Sequence, residues 1–201
     1  DRGLFSREAI GLKPEYYDAL YGPLQGKATA VVSIHVARPK SSGWVMLKSA
    51  NPLENPLFDF NGGDHPDDMR LLVKGLQFLV RTFLQTRVMR DVAGARYMSR
   101  PIPGCQRMRF LSDEYWECHA RSLMTVSWHG CGTSKMAPAS DPLGVVNNRL
   151  SLRGVKGVRV VDTSIMPQVI TTNTQGTAYV IGEKGADLIK EDWGFPTQPL
   201  L

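Results

Sequence analysis

No apolar run in this sequence approaches the roughly 20 residues that a membrane-crossing helix needs. The longest candidate, Leu71 to Leu84, is interrupted by Lys74, Gln77, Arg81 and Thr82, so a transmembrane reading fails. Basic residues never gather: the net charge of +5 comes from 24 Lys and Arg dispersed among 19 Asp and Glu. Nucleic-acid binding needs a concentrated basic stripe with stacking aromatics, and that class is set aside. Cysteine is scarce. Cys105, Cys118 and Cys131 lack the close doublets of a zinc site, so no metal is expected. As an odd set they leave open both three buried thiols and one bridge plus a free thiol. The chain also lacks an Asn-x-Ser/Thr acceptor site and a strand-linked Gly-x-Gly-x-x-Gly with an acid about 20 residues on. Gly130-Cys131-Gly132 has neither the third glycine nor the acid, and is rejected as a pyrophosphate-binding turn. There is no signal peptide and no initial methionine before Asp1, which suggests a processed or truncated product.

What is present suffices for an ordinary core: 201 residues, 42% hydrophobic and 21% charged, enough for one domain or two small ones. Residues 1–27 read as a surface-crossing lead-in. Thr29 to Ala37 alternates in polarity, Pro39 to Gly43 is a turn, and Trp44 to Ser49 alternates again, which predicts an antiparallel hairpin. Residues 51–63 are rich in Pro, Asn and Gly and read as loop. The Asp64-His65-Pro66-Asp67-Asp68 stretch carries the signals of a helix start, and the helix is expected to run to about Arg90. Pro101-Ile102-Pro103-Gly104 reads as a linker between subdomains. Ser112-Asp113-Glu114 opens a second helix through about Leu123. His35, His65 and His119 are taken as structural or surface residues.

Ser127 to Lys190 is where chemistry concentrates. His129 lies in a glycine-lined loop, Val158 to Val161 predicts a short buried strand closed by Asp162, and Asn173-Thr174-Gln175-Gly176 stands at the mouth of a helix of apolar period. The unpaired backbone donors of that helix's first turn favour a ligand that gains negative charge, such as an electron-accepting ring. Asn173 can equally be a helix cap, and Asp162 a turn residue.

The motifs Trp128-His129-Gly130-x-Gly132-Thr133 with Met136, Val160-Val161-Asp162-x-Ser164-x-Met166-Pro167, and Asn173-Thr174 with Ile181-Gly182-Glu183-Lys184 behind resemble the glucose-methanol-choline (GMC) flavin oxidoreductases. The likeness is to the C-terminal part of such an enzyme, closest to the arthropod glucose dehydrogenase branch. It implies an α+β fragment: an antiparallel substrate-domain sheet with helices, plus the C-terminal strand-loop-helix part of an FAD-binding α/β domain. The domains it implies are a lead-in over 1–23, most of the substrate-binding domain over 24–125, the C-terminal part of the FAD-binding domain over 126–193, and a tail over 194–201.

The resemblance further implies FAD as cofactor. His129 matches the base on a substrate hydroxyl and Asn173 the second active-site position. Asp162 matches the aspartate near the ribityl and phosphate region, Thr174 and Gln175 fall where backbone groups approach the isoalloxazine ring, and Trp128 is a further flavin contact. The implied activity is oxidation of an alcohol, by proton abstraction and hydride transfer to flavin N5. A hydroxynitrile lyase and a non-catalytic protein of the same fold are the alternatives. The implied partner is the N-terminal FAD-binding portion, as a separate chain or a missing segment, together with a small-molecule alcohol. Cys105 and Cys118 look shared with the arthropod relatives and could pair, in keeping with a secreted protein. Departures are Ser134, where the family often has cysteine, and Cys131, where it usually has another small residue.

Overall fold

The structure is a computed structural model and describes residues 11–98 and 100–197. It divides into two compact units: one of Asp1–Val36, Lys40–Gly43 and Asn61–Thr125, the other of Ala37–Pro39, Trp44–Phe60 and Val126–Leu201.

The first unit is helical. Helix α1, Pro14–Leu20, begins on a proline, whose missing N–H costs nothing in a first turn, and buries Tyr17. Part of the expected lead-in is therefore ordered secondary structure, while its residues 1–10 lie outside the described residues. Helix α2, Pro66–Arg81, starts where the sequence signals it, with His65 as its cap. The imidazole Nδ1 of His65 accepts the Asp67 amide at 3.1 Å. Asp68 is buried and accepts from the amides of Lys40 and Ser41 and from the Ser41 hydroxyl. Burial works to raise the Asp68 carboxyl, but the Ser41 hydroxyl and the two amides prevail and hold it below its usual value.

Helix α2 stops at Arg81 instead of reaching Arg90, and a short 3-10 turn, Phe83–Gln85, and a π turn, Val88–Val92, follow. Within that continuation the Thr86 hydroxyl donates to the Phe83 carbonyl at 2.9 Å, closing the 3-10 turn. Helix α3, Asp113–Leu123, is capped by Ser112, whose hydroxyl accepts the Tyr115 amide at 3.2 Å. The core gathers Val80, Ile102, Cys105, Tyr115 and Trp116. Ile102 and Cys105 are fully buried, which corrects the linker reading of residues 101–104: the prolines shape a core-forming turn, not a boundary. Cys105 and Cys118 form a disulfide with Cα atoms 5.9 Å apart, and Cys131 is free.

The expected hairpin is also corrected. Strand β1, Trp44–Met46, pairs antiparallel with β2, Leu57–Asp59, in the register Trp44 to Asp59. Its partner thus comes from the segment read as loop, while residues 29–36 form no strand. Ile34 lies against Gly75 of α2, where a Cβ would meet its side chain at 2.5 Å. The extended segment there is held by side-chain packing on a helix, not by a ladder.

In the second unit, Val146, Leu150, Ile165, Met166, Ile181 and Leu188 form the core. The first two come from a meandering turn region, the next two from a 3-10 turn, Thr163–Ile165, and its cap Met166, and the last two from helix α4, Gln175–Asp192. Helix α4 begins at Gln175, inside the stretch Asn173 to Gly176 that reads as lying at its mouth. The strand expected at 158–161 is only a fragment: Leu152 N bonds the Val158 carbonyl at 2.9 Å, Val160 N bonds that of Leu150 at 3.0 Å, and one isolated bridge joins Ser151 to Arg159. Among the described residues the chain is thus an α+β structure with one two-stranded antiparallel sheet. No helix among them is long and apolar enough to cross a membrane.

Candidate active site

Three chain segments converge within the second unit. The loop carrying His129 turns sharply: Trp128 adopts a left-handed backbone with φ of 55°, unusual for a bulky residue, and the residue is 68% exposed. Strained backbone of this kind gathers at functional sites. Gly132 has φ of 87°, and a Cβ there would stand 3.3 Å from the Met166 carbonyl oxygen. Only glycine lets the loop approach so closely.

That approach builds a seam. The amides of Gly132, Ser134 and Met136 donate to the carbonyls of Thr163, Ser164 and Ile165 at 3.4, 2.9 and 2.8 Å. The Thr163 hydroxyl returns a bond to the Gly130 carbonyl at 3.3 Å. Asp162 starts the 3-10 turn, accepting the Ser164 amide at 2.7 Å on Oδ1. It is exposed, so the turn role and a ligand role are compatible in the same side chain.

The third segment is the start of α4. Nδ1 of His129 lies 3.0 Å from the hydroxyl oxygen of Thr174, across 45 residues of sequence. Thr174 is buried, at 6% exposure, and occupies the cap position of α4. Its carbonyl accepts the Ala178 amide at 2.9 Å, yet its side chain makes no capping bond. The hydroxyl faces His129 instead. The first-turn amides of α4 are consequently without an intrahelical partner or a side-chain cap. Gln175 and Gly176 beside them are exposed, and a Cβ on Gly176 would meet nothing within 4 Å.

Of the residues singled out in the sequence, Trp128, His129, Asp162, Asn173, Thr174 and Gln175 all lie on these three joined segments. The side-chain bond that joins the His129 loop to the start of α4 is made by Thr174, while Asn173 is exposed. Sequence reasoning missed the hydroxyl contact of Thr174, because a threonine before a helix reads as a cap. It also missed Thr163, which stitches the histidine loop to the turn after Asp162. Cys131 is half-buried beside the core, and burial pushes its thiol up, away from thiolate.

An uncapped helix N-terminus open to approach, with a tethered imidazole at its first residue, suits a flat ring that gains negative charge. Comparison with known proteins gives this arrangement its class. The sequence profile of GMC oxidoreductases matches residues 39–182. Glucose dehydrogenase [FAD, quinone] of Drosophila melanogaster is 42% identical over 159 residues, covering 79% of this chain and 25% of that protein. 5-(Hydroxymethyl)furfural oxidase of a Methylovorus species is 35% identical over 172 residues, covering 83% and 32%. A solved fungal aryl-alcohol oxidase superposes with a TM-score of 0.63 at 37% identity, covering 76% of this chain and 24% of that one. The chain belongs to the GMC oxidoreductase family, in its C-terminal region. It spans 24% to 32% of the length of these relatives.

Proposed function

We propose that this chain supplies the acid-base side chains of an FAD-dependent alcohol oxidase or dehydrogenase. The observation that carries the reading is the His129–Thr174 contact, which brings the histidine loop to the residue next to Asn173. His129 takes the hydroxyl proton of the substrate on Nε2, the ring nitrogen not engaged by Thr174. Asn173 donates an amide N–H to the same oxygen and places it. Trp128, Asp162, Thr174 and Gln175 are the residues of this chain that would hold FAD, with the first-turn amides of α4 favouring charge on its ring. Bound there, FAD supplies the two-electron acceptor that no side chain can provide.

The domain roles follow. Residues 24–125 are most of the substrate-binding part, 126–193 the C-terminal part of the FAD-binding part, 1–23 a lead-in and 194–201 a tail. Without a Gly-x-Gly-x-x-Gly turn, the pyrophosphate of FAD is held by an N-terminal FAD-binding portion, in the same precursor or as a separate chain. The disulfide between Cys105 and Cys118 fits a secreted enzyme.

The test is anaerobic addition of a panel of alcohols to the assembled flavoprotein. Bleaching of the flavin absorbance supports the reading, and His129→Gln should slow it by about 10²- to 10⁴-fold. Cyanide release from a cyanohydrin without bleaching would replace it with a lyase.

A further inference from the structure

We infer that Thr174 is a positioning residue which fixes the ring tautomer of His129; the inference rests on the acid-base role given to His129 above. The geometry leaves two arrangements for the contact between Nδ1 and the Thr174 hydroxyl at 3.0 Å. If Nδ1 carries the proton, it donates to the hydroxyl oxygen and Nε2 keeps its lone pair. If Nε2 carries the proton, the hydroxyl donates to Nδ1 and the outward nitrogen cannot accept. Only the first is competent to take a proton at Nε2.

The first arrangement also survives the chemistry. When Nε2 gains a proton, both ring nitrogens become donors, and the existing Nδ1–H to Oγ1 bond persists and strengthens with charge. In the second arrangement the ring has no free nitrogen to protonate until the Thr174 hydroxyl has turned and given up its bond. A pre-set acceptor that needs no reorganisation when charge develops is what an acid-base site gains from a partner of this kind.

Burial makes the hydroxyl fit for the task. Thr174 is 94% withdrawn from solvent, since its exposure is 6%, so water competes poorly for its oxygen. Its side chain is not spent on capping α4. Its backbone belongs to the helix through the Ala178 bond, which leaves the β-branched side chain few rotamers. The residue that ends the helix at the proposed flavin-facing side therefore also orients the base. Threonine at this position is given a side-chain role beyond the backbone approach to a cofactor.

The experiment uses the assembled flavoprotein labelled with ¹⁵N-histidine, the His129 signals being assigned by their loss in His129→Gln. The wild type is expected to show the Nδ1-protonated neutral tautomer. Thr174→Val, nearly isosteric and lacking the hydroxyl, should shift the ring toward the Nε2-protonated form and lower kcat by about 10- to 100-fold with little change in KM. Thr174→Ser, which restores the hydroxyl, should return the wild-type tautomer and most of kcat. An Nε2-protonated ring in the wild type, or a tautomer unmoved by Thr174→Val, would overturn the inference. The ring signals are read without turnover, so a wild type that oxidises no alcohol would overturn the functional reading while the tautomer still judges Thr174.

Discussion

The carboxylate of Asp68 accepts both the backbone amide and the hydroxyl of Ser41, at 2.7 and 2.6 Å, across 27 residues of chain. The Lys40 amide adds a bond at 2.9 Å. This one buried side chain pins an extended segment to the first turn of α2, where its charge also suits the helix dipole. Asp68→Ala leaves those donors without a partner, and unpaired buried donors cost about 1–3 kcal/mol each. Unfolding by denaturant should give a loss of roughly 3 kcal/mol. Because the folded carboxyl is held below its usual 3.8, its contribution is complete above that pH and is lost as pH falls through the depressed value.

A second acid effect occupies a different window. His119 packs against Tyr115 and Trp116, with ring centroids 5.8 and 5.5 Å away, and burial pulls its pKa from 6.5 to about 4. The unfolded chain therefore binds a proton there before the folded one does, so stability is full above pH 6.5 and declines toward pH 4. His119→Phe keeps the aromatic packing and removes the titration. Thermal midpoints between pH 7 and 4 should fall less steeply in that variant than in the wild type.

The disulfide joins cysteines 13 positions apart in sequence at the aromatic core of the first unit. Cys105→Ser with Cys118→Ala should lower unfolding stability by about 2–4 kcal/mol. Dithiothreitol should reproduce most of that loss in the wild type and none in the double variant.

Gly185 in α4 faces the side chain of Val161, into which a Cβ would intrude. Alanine has the better helix propensity by up to about 1 kcal/mol, yet overpacking costs about 1–3 kcal/mol, so Gly185→Ala should destabilise. Adding Val161→Ala should recover part of the loss, and a double-mutant cycle of melting curves measures the coupling.

The elements that were legible in the sequence are those whose signals are local. Ser112-Asp113-Glu114 opened α3 and the proline and acids after His65 opened α2, each through a cap or first turn that needs no distant partner, while α4 starts inside the Asn173 to Gly176 stretch that reads as preceding it. The three motifs that pointed to the site do lie on joined segments. What was hidden depends on contacts made far along the chain. The alternation of residues 29–36 looks like a strand, but no ladder is available and Ile34 packs on a helix glycine. Leu57 to Asp59 pairs despite its Pro- and Asn-rich surroundings, because Trp44 to Met46 offers the complementary edge. The turn of the Thr174 hydroxyl away from its own helix has no trace in composition or period.

The two-stranded sheet has a practical consequence. Every residue of Trp44–Met46 and Leu57–Asp59 is exposed, and among the described residues neither strand is flanked by another on its outer side. Such a ribbon offers sticky hydrogen-bonding borders and greasy side chains to whatever it meets first. Anyone producing this polypeptide by itself should plan for precipitation.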